Sequence, residues 1–127
     1  MVLADRTAVL SPPGSVRALL IPVEQAELAM LIDVESRSAS ISSTLGGGLL
    51  ADPLTGSTPD GPRYCLYRLD TAPEVPENVR ATSLAIRLGH LLLLDQVRLR
   101  GAVLVTGLHP GSDDDLDVPR YVLELLG

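Results

Sequence analysis

The apolar residues of this chain fall into short runs, and three of these runs have the length and composition of β-strands. Residues 16–22 are almost wholly apolar and end at a proline. Residues 63–69 include two tyrosines and the single cysteine. Residues 97–108 form the clearest strand region, in which Gly101 marks a bend or a bulge. We therefore predict a strand in each segment.

Two further segments carry apolar residues at helical spacing. Residues 79–88 follow Asn78, a good N-cap, and stop before Gly89. Residues 119–126 begin with a proline, which suits the first turn of a helix. The predicted inner faces consist of Ala81, Leu84, Ala85 and Leu88 in the first helix and of Val118, Val122, Leu125 and Leu126 in the second.

Residues 24–45 leave two interpretations open. Residues 24–34 fit either a helix or a strand, and a strand that pairs back on residues 16–22 is slightly favoured, because five or six intervening residues suit a hairpin. Asp33 or Ser36 is then positioned to cap a helix that ends at Leu45, before Gly46. Four serines within residues 38–43 are weak helix formers, so local propensity favours a loop there.

The predicted fold is one small α+β domain with a mixed or antiparallel sheet and two to three short helices. Residues 1–15 are interpreted as an N-terminal extension and residues 16–127 as the domain, because a chain of 127 residues is too short for two cores. Residues 52–62 are rich in Gly, Pro, Asp and Thr and predict a long connection.

Composition and charge exclude several function classes. The net charge is −6 and all ten basic residues are Arg, which argues against a phosphate-tracking nucleic-acid surface. Cys65 is the only cysteine, so an internal disulfide is impossible. The first residues lack the pattern of a signal peptide, and apolar runs such as residues 91–94 are far short of a membrane span. We expect a cytoplasmic protein without direct nucleic-acid or membrane binding.

Several segments, in order, resemble a domain-of-unknown-function family of small proteins from actinobacteria, their phages and mobile elements. The matching pieces are ALLIP (18–22), LGG (45–47), NVRAT (78–82), GAVLVTG (101–107) and DVPRYVLELL (117–126), and family members typically have Pro where this chain has Val79. The resemblance covers residues 16–126. It implies an α+β fold and a phage or mobile-element setting, and it brings no catalytic residues.

Candidate metal and nucleophile sites are weak, so we predict no cofactor, no metal ligand and no catalytic residue. Asp113, Asp115, Asp117 and Glu124 fall at calcium-loop positions, but Val118 stands where the loop needs glycine, and a solvated turn with Asp117 capping the last helix fits better. His90 and His109 are far apart and are interpreted as solvent-facing or capping residues. Cys65 is interpreted as a small packed hydrophobe.

Two groups of polar residues are the candidates for contact with a partner. The first is Asn78, Arg80 and Thr82, where Arg80 is mildly disfavoured by the helix dipole and is expected to have an acidic partner, within the chain more readily than in a ligand. The second is the loop with Asp113, Asp114 and Asp115. Glu74 and Glu77 lie in a second acidic loop.

These observations favour an accessory protein, more readily than an enzyme, that binds a host or phage macromolecule, with a protein partner expected and the oligomeric state left open. The alternative is a small-ligand-binding protein or minor enzyme with a pocket near Arg80 and Cys65.

Overall fold

A computed structural model describes residues 14–90 and 98–126, which fold into one α+β domain. The strands are β1 (Ser15–Ile21), β2 (Met30–Glu35), β3 (Leu54–Ser57), β4 (Arg63–Arg68), β5 (Val103–Leu108) and β6 (Asp115–Leu116), and the helices are α1 (Ser38–Thr44), α2 (Val79–Arg87) and α3 (Arg120–Leu126). Within these ranges no helix combines the length and the apolar character needed to cross a membrane. The predicted extension at residues 1–15 lies almost entirely outside the described residues, as do the run 91–94 and Val97.

The sheet is antiparallel at every pairing, with the strand order β2-β1-β5-β4-β3 and with β6 also on β5. β1 and β6 share one edge of β5, since β1 pairs with residues 103–105 and β6 with Gly107 and Leu108. All six residues of β5 are buried. Full burial on both faces explains its almost continuous apolar sequence.

Helices cover both faces of the sheet, and each face carries its own apolar core. Leu19, Val105 and Leu66 pack against α2 and α3 through Leu84 and Val122. The opposite face packs against α1 and the residues that follow it, with a core formed by Val16, Ala18, Val34, Ile41, Leu45 and Leu104. The molecule is therefore a three-layer arrangement with the sheet in the middle.

The first turn of α2 fastens together several separate stretches of backbone. Asn78 is the predicted N-cap: its Oδ1 accepts from the Ala81 N–H at 3.1 Å, and its Nδ2 donates to the Ile21 and Gly101 carbonyls, each at 2.9 Å. The side chain of Asn78 is fully buried. A buried amide with all of these partners stabilises the fold, whereas each lost partner would leave a buried polar group unsatisfied.

Residues 24–45 adopt the strand and the helix that the sequence left open. β2 pairs with β1 as favoured, but across a connection of residues 22–29, longer than expected. The serine-rich segment is helical, so the local preference for a loop was wrong there. Neither expected cap is used: the N-cap is Arg37, with no side-chain cap bond. Burial of Ile41 and Leu45 stabilises α1 and outweighs weak propensity.

Two short strands lie in segments predicted to be loops. β3, within residues 52–62, pairs with β4 from Leu54 to Ser57. The Tyr64 ring lies over Gly56 in this hairpin, so close that a Cβ at position 56 would be 2.5 Å from the Tyr64 hydroxyl oxygen. β6 lies within the acidic loop. β3 forms because it hydrogen-bonds with the backbone of β4, and β6 forms because it hydrogen-bonds with the backbone of β5. The local sequence does not reveal either pairing.

We predict that Asn78→Ala lowers the free energy of unfolding by about 2–4 kcal/mol, since it removes a cap and leaves two buried carbonyls without donors. Urea denaturation followed by circular dichroism measures the change. Ser83→Ala, at an exposed position of the same helix, is the matched control and should stay within about 0.5 kcal/mol of the original protein. Equal stabilities of the two variants would contradict the structural role of Asn78.

Candidate functional site

An open groove of about 990 Å³ lies at the end of the sheet where β1 begins and where β2 and β5 end. Its walls are residues 14–16, residues 35–37 and residues 114–117. Four carboxylates line this groove, from Glu35, Asp114, Asp115 and Asp117. We call it the acidic groove. Arg37 is the one cation in its lining, and its guanidinium already pairs with Glu35 at 2.5 Å.

Asp115 holds this end of the molecule together through three hydroxyl groups. Its Oδ1 accepts from Tyr67 at 2.5 Å and from Thr106 at 2.8 Å, and its Oδ2 accepts from Ser36 at 2.7 Å. These donors come from β4, β5 and the segment between β2 and α1. A carboxylate that accepts these three hydrogen bonds fixes β6 against two strands and the segment before α1, because bonds to a charged acceptor are strong.

Tyr67, which donates to Asp115, also contacts Cys65, and burial favours the protonated form of both side chains. Burial raises the pKa of the Cys65 thiol to about 11, against a smaller lowering by its hydrogen bond with Tyr67. Burial also raises the pKa of Tyr67, and its hydrogen bonds with Asp115 and Cys65 act in the same direction. The thiol is therefore a poor nucleophile at neutral pH, which agrees with its interpretation as a packed hydrophobe.

The path of the chain after β6 depends on Gly107. A Cβ at position 107 would overlap the Asp117 carbonyl oxygen, so glycine lets the chain cross over β5 toward α3. Asp117 is fastened there by β1: its Oδ1 accepts from the Arg17 N–H at 2.8 Å, and the Val118 N–H donates to the Arg17 carbonyl at 2.9 Å. Asp117 thus binds β1, instead of the helix cap expected from the sequence.

Asp113 and Asp114 differ from Asp115 in exposure and in bonding. Both are exposed, in the turn between β5 and β6. Asp114 makes only local hydrogen bonds: its Oδ2 accepts from Ser112 Oγ at 3.1 Å, and its carbonyl accepts from the His109 N–H at 2.8 Å. The three aspartates that the sequence presents as one cluster therefore divide into two solvent-facing charges and one structural acceptor.

Most of the arginines in the described ranges bind backbone carbonyls instead of carboxylates. Arg63, Arg68, Arg80, Arg87 and Arg100 each donate to one or more carbonyl oxygens. Ion pairs join Arg37 to Glu35 at 2.5 Å and Arg120 to Glu124 at 3.1 Å. These five guanidinium groups thus fasten separate stretches of backbone to one another.

The other predicted cluster lies on α2, on the far side of the sheet from Asp115. Arg80 is held there by carbonyls, instead of the acidic partner expected: Nη1 donates to Glu27 at 2.7 Å, and Nη2 donates to Pro22 at 2.9 Å and to Glu24 at 2.8 Å. Thr82 Oγ1 accepts from the Leu99 N–H at 3.1 Å. It stays a prediction that Asn78, Arg80 or Thr82 contacts a partner. The same holds for a partner contact by the acidic loop with Asp113, Asp114 and Asp115.

The alternative pocket, near both Arg80 and Cys65, meets a geometric obstacle. Cys65 alternates with the core residues Tyr64 and Leu66 along β4, so its side chain lies on the face that α1 covers. Arg80 belongs to α2 on the opposite face. The sheet separates the two side chains.

Sequence reasoning missed Ser36, Tyr67 and Thr106 as partners of Asp115. They are far apart along the chain, at separations of 79, 48 and 9 residues. The strand alternation that places Tyr67 and Thr106 on one face was readable, but the position of β6 was not. His90 is half-buried, not solvent-facing as expected, and its Nε2 lies 2.6 Å from the Tyr64 hydroxyl.

Metal binding finds no support in the geometry of the described residues. Among them no group of three or more His, Cys, Asp or Glu side chains is arranged to hold a metal ion. In particular, the Asp115 and Asp117 carboxylates of the proposed calcium pattern accept hydrogen bonds from different strands.

Comparisons with protein-family models, with curated proteins and with solved structures found no match for this chain. The resemblance to a family of actinobacterial and phage proteins is neither confirmed nor contradicted by them, and the function has to be argued from the site.

Asp115→Ala should lower the free energy of unfolding by about 2–4 kcal/mol, because three hydroxyl donors lose a charged acceptor. Asp114→Ala removes the same charge one residue away and should change stability by no more than about 0.5 kcal/mol. Urea denaturation of both variants under the same conditions measures the difference. A loss of similar size in both would show that net charge, and not the hydroxyl network, sets the stability.

The buried thiol predicts a loss of stability in alkaline solution. Because the pKa of Cys65 is about 11 in the folded protein, above its value near 8.5 in an unfolded chain, the unfolded chain ionises first as the pH rises. The contribution of the protonated Cys65 thiol to the free energy of unfolding is complete below about pH 8.5 and is lost as the pH rises through about 11. The urea midpoint should therefore fall with pH more steeply in the original protein than in Cys65→Ala.

The two slopes are best compared between about pH 8.5 and 9.5, before tyrosines in the unfolded chain ionise. Comparing slopes removes the effect of the small cavity that the substitution leaves. Parallel curves over this interval would contradict a protonated, buried Cys65.

Proposed function

We propose that this protein is a non-enzymatic accessory protein that binds a basic segment of a protein partner in the acidic groove. The observation that carries the proposal is the lining of the groove, in which four carboxylates surround one arginine that is already paired. A phage or mobile-element setting is part of the proposal on the strength of the resemblance alone.

Charge complementarity argues for a basic occupant. A groove lined by one sign of charge concentrates its field and raises the local concentration of ions of the opposite sign. The chain as a whole also carries a net charge of −6, which attracts a basic partner. Guanidinium groups of a partner would match these carboxylates with paired hydrogen bonds.

An apolar contact at the centre of this surface would add to the charge. Leu116 is 44% exposed and lines the acidic groove on one side. On its other side it lines a neighbouring depression next to Arg63 and Pro110. Asp114 and Asp117 lie in the acidic groove beside it. Contacts that become buried near the centre of an interface contribute much of its affinity, while surrounding charges mainly set orientation and association rate.

The rigidity of the surroundings supports a binding role. Asp115 fixes β6 by accepting from three hydroxyl groups. Asp117 is fixed because its carboxylate accepts from the backbone N–H of Arg17. The exposed carboxylates are thus presented by a fastened hairpin, which lowers the entropy cost of binding. Loops held on a rigid scaffold are where binding residues tend to lie.

The proposal predicts that a fluorescent octa-arginine peptide binds and that Asp113→Asn together with Asp114→Asn weakens this binding. Both residues are exposed, so the fold should survive the change. Fluorescence anisotropy measures the affinity, and stopped-flow mixing should show that rising salt slows association more than it changes dissociation.

The matched control is Glu24→Gln together with Glu27→Gln, which removes the same two charges from an exposed loop at the other end of the sheet. This control should bind the peptide almost as the original protein does. Equal weakening by both double variants would mean that net charge, and not the groove, attracts the peptide, and the proposal would then fail.

A further inference from the structure

A second, smaller groove of about 240 Å³ lies at the opposite end of the sheet, and its lining has the opposite charge. β4 begins at Arg63, near Leu116 and Asp117 of the acidic groove, and ends at Arg68. β5 runs in the opposite direction, from residue 103 to residue 108. The second groove lies where β4 ends and before β5 begins. Its lining contains Arg68, Arg98 and Arg100 against one carboxylate, Asp70. We call it the arginine groove.

Backbone carbonyls hold the guanidinium groups of Arg68 and Arg100 in place. Arg68 Nη1 donates to the Asp52 carbonyl at 2.9 Å, and Arg100 Nη1 donates to the Val75 carbonyl at 2.9 Å. Each of these bonds occupies one of the five N–H donors that a guanidinium carries. The bonds therefore fix the side chains and leave donors on the same groups for an anion.

The backbone beneath Arg98 and Arg100 is fastened as well. Leu99, between them, is fully buried; its N–H donates to Thr82 Oγ1 and its carbonyl accepts from the Asn78 N–H at 2.7 Å. The Gly101 N–H donates to the Pro76 carbonyl at 3.0 Å. Anchoring on both sides places the two arginines before any ligand arrives, which reduces the entropy lost on binding.

We infer that the arginine groove binds a small phosphorylated molecule, through charge-assisted hydrogen bonds from Arg68, Arg98 and Arg100 to phosphate oxygens. Arginine is the side chain suited to this ligand, since its planar fork matches two phosphate oxygens at once. Among the described residues, three arginines face one aspartate in this lining, in a chain of net charge −6. The site is independent of the acidic groove and of the partner proposed for it.

The surroundings favour a small ligand over a nucleic-acid chain. A polymer needs a basic track along its backbone, whereas these three arginines line one small groove. Beyond it, Glu74 and Glu77 belong to the neighbouring loop, and Glu77 pairs with Arg100 through a backbone bridge. These carboxylates would repel a phosphate backbone that extends beyond the groove.

Isothermal titration calorimetry with inorganic pyrophosphate, at about 0.15 M ionic strength, tests the inference. The protein should bind pyrophosphate, and Arg68→Gln and Arg98→Gln should each weaken binding about tenfold or more, as expected when a charge-assisted hydrogen bond is lost. Asp70→Asn should have the opposite effect and tighten binding, because it removes the one negative charge from the lining.

Arg63→Gln is the matched control, since Arg63 lies on the same strand as Arg68 but at its other end, and it should leave pyrophosphate affinity unchanged. Urea denaturation of each variant shows that it is folded. Absence of binding to the original protein, or equal weakening by Arg63→Gln, would overturn the inference. Tighter binding of a single-stranded oligonucleotide than of pyrophosphate, with the same dependence on Arg68 and Arg98, would overturn the choice of a small ligand.

Discussion

The burial of β5 is the constraint on which the rest of the structure depends. All six of its residues are buried, and neighbouring strands pair with it along both edges. Its side chains therefore need a core on each face, which α2 and α3 supply on one side and α1 on the other. Because β1 covers only part of one edge, the remaining backbone groups pair with β6, which brings the acidic hairpin into the sheet.

The same strand separates two regions of opposite charge. The C-terminal end of β5 leads into the hairpin of the acidic groove. Its N-terminal end follows the segment with Arg98 and Arg100, which line the arginine groove. A strand of six residues spans roughly 20 Å, about twice the Debye length at physiological salt, so the two fields act almost independently. Net charge alone, which describes the chain as uniformly acidic, conceals this separation.

How much the sequence predicts depends on whether a feature is local. Asn78 and Gly89 identify α2 at both ends, and the strand and helix patterns predict an α+β domain with a mixed or antiparallel sheet, which the structure shows to be antiparallel. β6 has only two residues, and nothing in its sequence competes with the surrounding loop signals, because its stability comes from Gly107 and Leu108. Long-range hydrogen bonds are absent from any local pattern for the same reason, so the role of Asp115 was hidden inside a run of three aspartates.

The tyrosine that lies between two glycines has a consequence for sequence variation. Tyr64 pairs with Gly56 on one neighbouring strand and with Gly107 on the other, and its ring occupies the space above Gly56. The ring shields the backbone that glycine would otherwise expose, so glycine weakens the strand less than it would alone. Positions 56 and 64 are therefore coupled: a side chain larger than hydrogen at the first requires one smaller than tyrosine at the second, and relatives with this sheet should exchange the two together.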